Sequence, residues 1–135
     1  MIDTNVFVQV ERRRHPFDIS RWEPSGGVFI SVVTVSELLM GVHRADSEAR
    51  RKRRSEFVET ILSGVSVLDF SIAVARRHAL VYSELAREGQ RIGAHDMIIA
   101  ATALQHGHSL LTDDFKEFSR VPGLSVIRFE QPESP

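Results

Sequence analysis

The chain has 135 residues, no cysteine and a formal net charge of −1, with 42% hydrophobic and 26% charged residues. This is enough for one domain with a substantial core, and it excludes a disulfide framework and any site built on thiolates. The near-neutral balance argues against binding nucleic acid by bulk charge alone, no apolar run reaches membrane-spanning length, and no secretory leader is recognisable, so a cytoplasmic protein without a membrane partner is expected.

The opening "MIDTNVFV" places an acid, Asp3, after only Met1 and Ile2. Asp3 either caps a helix or belongs to a site presented by a very short first strand. Arg12–Arg14 form a small basic cluster, and Pro24, Ser25, Gly26 and Gly27 predict a turn. The β-branched run Val28–Val33 then reads as a strand buried on both faces, as in a parallel sheet. "TVSELLMGVHRA" follows at helical spacing, with Glu37 in its first turn and Thr34-x-x-Glu37 matching a capping box.

The segment Ser47–Gly64 reads as a helix with an apolar stripe at Phe57, Ile61 and Leu62. It carries Arg50, Arg51, Lys52, Arg53 and Arg54 in one run. Successive residues turn by about 100°, so five in a row cannot share one face. They are divided between a solvated surface and an edge that contacts RNA or a protein partner. Val65–Phe70 is a second short strand, and "SIAVARRHALVYSELAREG" is a helix with Ser71 as its N-cap and Gly89 as its stop. "AHDMIIAATALQHG" is an Ala-rich helix that opens near Asp96 and ends at Gly107. "HSLLT" is a strand, "DDFKEF" a helical turn and Leu124–Phe129 a last strand. Alternating strands and helices predict an α/β domain over residues 1–130, with a mainly parallel sheet, and a polar tail at 131–135.

Four acidic positions recur at one structural place, the carboxyl end of a strand or the start of the next helix: Asp3, Glu37, Asp96 and the pair Asp113–Asp114. Ligands bind at that edge of open parallel sheets. Carboxylates gathered there repel one another and call for a cation. An all-oxygen donor set points to Mg²⁺ or Mn²⁺, which suits phosphodiester hydrolysis by an activated water. Thr4, Asn5, Ser36 and Thr112 stand beside the acids and are candidates to orient them. Each acid alone is equally readable as a helix or turn cap. His95 is a candidate phosphate contact or an exposed helix-start residue, His106-x-His108 lacks a third ligand, and Trp22 and Tyr82 read as packing aromatics.

"DTNVFV" at Asp3–Val8, "TVSELLMG" at Thr34–Gly41, "HDMIIAATAL" at His95–Leu104 and "LLTDDFKEFSRVPGL" at Leu110–Leu124 together resemble the PIN-domain ribonucleases, and most closely the VapC toxins of bacterial toxin–antitoxin pairs. The resemblance spans nearly the whole chain in the family's order. It implies a three-layer α/β/α fold and an Mg²⁺- or Mn²⁺-dependent endoribonuclease. Asp3, Glu37, Asp96 and Asp114 match the family's catalytic and metal-binding acids, and Asp113 falls on a variable place. The resemblance also implies an RNA substrate, a homodimer, a VapB-like antitoxin whose C-terminal segment fills the cleft, and promoter binding only through that antitoxin. One departure is the two-residue lead into Asp3, where the family has a fuller strand, which raises the question of an upstream extension. A DNA nuclease of the same superfamily and a non-catalytic PIN-like module are the alternatives. A phosphoacceptor receiver domain fits poorly, because Asp69 follows a strand without the early acid pair or the late lysine.

Overall fold

The computed structural model describes residues 1–13 and 27–130. Arg14, Trp22, most of the predicted turn at Pro24–Gly27 and the tail 131–135 lie outside them. The chain runs α1 (Thr4–Arg13), β1 (Phe29–Ser31), α2 (Val32–His43), α3 (Glu48–Gly64), β2 (Ser66–Leu68), α4 (Ile72–Arg87), α5 (Ala94–His106), β3 (Leu110–Thr112), α6 (Phe115–Phe118) and β4 (Val126–Arg128).

Two parallel strand pairs, β1 with β2 and β3 with β4, are joined through the first three residues. Ile2 N–H donates to Phe29 O at 3.0 Å on one side. On the other side Leu111 N–H donates to Met1 O at 2.8 Å and Asp3 N–H to Leu111 O at 2.9 Å, and Ile2 bridges Leu111 in parallel. Met1–Asp3 is therefore the middle rung of a parallel sheet, and its shortness costs no pairing partner.

Side-chain alternation divides the core between two faces. Ile2, Ile30 and Leu111 pack with Val6, Phe7 and Val10 of α1, Leu38 and Val42 of α2, and Val58 and Ile61 of α3. Leu110, with Met1 and Val126 against it, packs with Val81 and Leu85 of α4 and Met97, Ile99 and Ala100 of α5. These are the three layers of an α/β/α fold. Helices α2–α3 and α4–α5 follow one another with no strand between them, which departs from strict strand–helix alternation.

Local chemistry sets most boundaries. Ser47 and Ser71 cap α3 and α4 by accepting from Arg50 N–H and Val74 N–H. Gly107 closes α5 in the left-handed region (φ 68°). The predicted strand Val28–Val33 is shorter than expected. Ser31 ends it and caps α2, its hydroxyl accepting from Val33 N–H at 3.1 Å. Thr34 is therefore inside the helix and fully buried, so the capping box does not form, and Glu37 stands in the second turn rather than the first. Helix α1 goes beyond the sequence expectation: "TNVFVQV" is rich in β-branched residues, yet burial of Val6, Phe7 and Val10 makes it helical.

Candidate active site

An open cleft of about 300 Å³ lies at the carboxyl edge of the sheet, lined by Asp3, Thr4, Asn5, Val8, Glu37 and Asp96. The middle rung presents Asp3, which is almost fully buried. Its Oδ1 accepts from Thr4 N–H at 2.8 Å, and its Oδ2 accepts from the buried Thr112 hydroxyl at 2.8 Å. Thr112 also accepts from Asp114 N–H at 2.9 Å. One hydroxyl at the end of β3 thus joins two of the predicted acids.

Thr4 does the same on the other side. Its Oγ1 stands 2.8 Å from Glu37 Oε1 and 3.0 Å from Thr34 Oγ1. A hydroxyl has a single proton; here it goes to the carboxylate, and the Thr34 proton serves the second contact. Ser36, the expected orienting group for Glu37, is exposed and bonds to none of the acids. Thr34 is what the sequence offered in its place, one turn earlier on the helix. Glu37 Oε2 also faces His95 Nδ1 at 3.6 Å, so His95 sits at the rim against a carboxylate.

Burial pushes the Asp3 carboxyl up to about 6, its two hydrogen bonds work the other way, and the charges of Glu37 and Asp114 add to the rise. Asp96, in the first turn of α5, is pushed up to about 7. Burial is the main cause, followed by the charges of Asp3, Glu117 and Glu37 and a side-chain hydrogen bond with Glu117. Among the described residues none of Asp3, Glu37, Asp96 and Asp114 has a lysine or arginine within ion-pair distance. Among the described residues the one basic group within ion-pair distance of the cluster is His95, against Glu37.

Glu117 is the acid beside the cluster that sequence reasoning missed. It lies on α6, whose N-cap Asp114 accepts from Glu117 N–H at 3.3 Å. Its Oε1 accepts from Gly93 N–H, at the cap of α5, at 2.9 Å. The available signal was its spacing: three residues after Asp114 it shares the single turn that follows β3. Asn5 lines the cleft and accepts from Asp113 N–H at 3.3 Å. Asp113 itself is exposed and receives Gln9 Nε2 at 3.0 Å, outside the acid cluster.

The basic run on α3 is largely spent on its own surroundings. Arg50 pairs with Asp46, Arg51 with Glu48 and Arg53 with Glu11, and Arg54 donates to Gly41 O at 2.8 Å. Lys52 extends into solvent. None of the five lines the cleft. His108 stacks on Phe29 with ring centroids 4.4 Å apart, and burial holds it below the usual imidazole range. With His106 it forms a ring stack and no metal site.

Carboxylates set around an open pocket and held by hydroxyls, with no lysine or arginine among the described residues paired to them, can gather a hard cation. The donor chemistry fits Mg²⁺ or Mn²⁺. Among the described residues no three acidic or imidazole side chains stand at direct chelating distance of one point.

The chain matches the model of the PIN domain over residues 1–124. It is 37% identical over 127 residues to a protein named ribonuclease VapC1 from Rickettsia felis, covering 94% of this chain and 93% of that one. It is 32% identical to the tRNA(fMet)-specific endonuclease VapC of Shigella flexneri, over 92% of each chain. Among solved structures, DNA-bound VapBC from Salmonella typhimurium superposes with a TM-score of 0.83 at 28% identity, over 95% of this chain and 96% of that one. FitAcB from Neisseria gonorrhoeae gives 0.75 at 31% identity, over 93% and 94%. A parallel sheet whose middle rung carries a buried acid, Glu37 and Asp96 lining one cleft with it, Asp114 tied to it through Thr112, and likeness along almost its full length place the chain in the PIN-domain family, within the VapC group.

Proposed function

We propose that the protein is an Mg²⁺- or Mn²⁺-dependent endoribonuclease, the toxin of a toxin–antitoxin pair acting in the cytoplasm. The observation that carries this reading is the convergence of Asp3, Glu37, Asp96 and Asp114 on one edge, with no lysine or arginine among the described residues within ion-pair distance of them. The names of the relatives support the reaction class, and the solved VapBC complexes support a VapB-like antitoxin as partner.

Asp3 and Asp96 would hold the ion, with Glu37 and Asp114 beside it. When bound, it supplies Lewis acidity that makes a water nucleophilic at neutral pH and stabilises charge on the phosphate. The protein's own part is placement. Thr4 N–H and Thr112 fix the Asp3 carboxylate in one orientation, each oxygen keeping a lone pair for the cleft. Thr4 and Thr34 hold Glu37. The net negative cleft rejects a phosphodiester unless a cation is present, so substrate and metal enter as a linked pair. The proposal includes a homodimer, supported by apolar side chains exposed on and beside α4: Phe70, Ile72 (77% exposed), Leu80 and Tyr82.

The test is cleavage of structured RNA by purified protein in Mg²⁺, with cut sites mapped. Activity is expected to vanish in excess EDTA, to return with added Mg²⁺ or Mn²⁺, and to be lost in Asp96→Asn. Cleavage that persists in either condition overturns the mechanism.

A further inference from the structure

Glu117 poses a question that metal binding alone does not answer. A further carboxylate next to Asp96 adds repulsion to the acid cluster, even though the two carboxyl groups share a side-chain hydrogen bond while Asp96 keeps its proton. Glu117 does not line the cleft. Its Oε1 is taken by Gly93 N–H, and its own N–H by Asp114. These contacts make a chain of Asp114, Glu117, Gly93 and Asp96 that ties the start of α6 to the start of α5. The two helices carry acids from distant parts of the sequence, and no strand precedes α5 to fix its register against the sheet.

Gly93 completes the link. Its φ of −57° is open to any residue, so conformational freedom does not require a glycine. Space is the constraint. A Cβ there would stand 3.4 Å from Asp96 Oδ2 and 3.8 Å from Glu117 Oε1, so the backbone at 93 sits directly against both carboxyl groups.

We propose that Glu117 and Gly93 form a clamp, carboxylate oxygen against backbone N–H, that positions Asp96 relative to Asp114, and that Glu117 serves as a positioning residue and not as a metal ligand. The inference rests on the metal-dependent reading above. It accounts for a carboxylate retained where its charge is unwelcome: the side chain is kept for its acceptor. A glutamine retains that acceptor without the charge, and a proline at 93 removes the donor at a φ it can adopt.

The experiment uses the full chain and two readouts, amide hydrogen exchange at Gly93 without metal and titration with Mn²⁺ alone. The variants are Glu117→Ala, Glu117→Gln, Gly93→Pro and Gly93→Ala, the last sharing the Cβ of proline but keeping the N–H. The Gly93 amide is expected to be protected in wild type and Glu117→Gln and to exchange freely in Glu117→Ala. Mn²⁺ affinity is expected to fall roughly tenfold in Glu117→Ala, and roughly tenfold further in Gly93→Pro than in Gly93→Ala. Glu117→Gln is expected to stay within about threefold of wild type. If Glu117→Gln loses Mn²⁺ as fully as Asp96→Asn, Glu117 is a ligand and the proposal is wrong. Equal Gly93 exchange in wild type and Glu117→Ala removes the clamp. Wild-type protein that takes up no Mn²⁺ overturns the metal reading and the positioning role with it, a failure told apart by Gly93 protection that survives in the metal-free spectrum. Should Gly93→Pro not fold, the Glu117 pair and the exchange measurement still decide.

Discussion

Asp96→Asn removes one charge from the cleft with almost no change in shape, and its effect on stability has a sign that can be worked out. Moving the carboxyl from 3.8 to about 7 costs the folded state roughly 4 kcal/mol once the group is ionised. Asp96 retains contact with solvent, which reduces the expected gain to about 1–3 kcal/mol. Its folded pKa lies above the unfolded value, so the folded state holds the proton more tightly. The associated stability is complete below about pH 4 and is lost as pH rises toward 7. In EDTA at pH 8, Asp96→Asn is therefore expected to melt higher than wild type, by about 5–10 °C for a domain of this size. The gain should shrink toward zero as the pH approaches 4. Added Mn²⁺ should reverse the order, raising the wild-type Tm by linkage and leaving the variant unmoved. Thermal melts at several pH values, with and without metal, make the comparison. A variant less stable than wild type at pH 8 without metal, or a gain independent of pH, would show that Asp96 is retained as a structural cap and refute the charge-cluster reasoning.

Thr112→Val keeps the volume but deletes a hydroxyl that serves Asp3 and Asp114 at once; melts at pH 8 should show a loss of about 2–4 kcal/mol, reported as a lowered Tm. Thr4→Val releases Glu37 while sparing the backbone bond to Asp3, so RNA cleavage should slow by roughly tenfold through kcat, with a smaller change in KM. The double change Ile72→Glu and Leu80→Glu should convert a dimer to a monomer in light scattering without lowering Tm by more than about 1 kcal/mol equivalent, because both side chains are exposed in the single chain.

Features fixed by near neighbours were legible in the sequence. Ser71 and Gly107 sit where caps were expected, because a cap is satisfied within a few residues, and Ser47, read as the first helical residue, caps α3 instead. The acids were legible as a set because the parallel topology brings strand ends to one edge. Glu37 lines the cleft from the second turn of α2 and not the expected first, and the alternative capping box fails: Ser31, not Thr34, starts α2, and Thr34 instead buries its hydroxyl against Thr4. That contact joins residues thirty apart, and nothing in either segment announces it. Glu117 was missed for a similar cause, since its acceptor is used on Gly93, twenty-four residues back. Helix α1 was left open because β-branched Thr4, Val6, Val8 and Val10 weaken any helix signal after Asp3, and its buried face decides for the helix.

The middle rung of the sheet has a consequence for how the molecule comes into being. Asp3 is oriented by Thr112, 109 residues away along the chain, and the rung it ends is held on one flank by β1 and on the other by β3. Closing so long a loop comes late and slowly in folding, because its entropy is lost before its contacts repay it. During synthesis Asp3 leaves the ribosome 109 residues ahead of Thr112 and waits for nearly the whole domain to follow. The acid cluster therefore cannot assemble on a growing chain, and a nuclease built this way is inert until almost its last element has emerged.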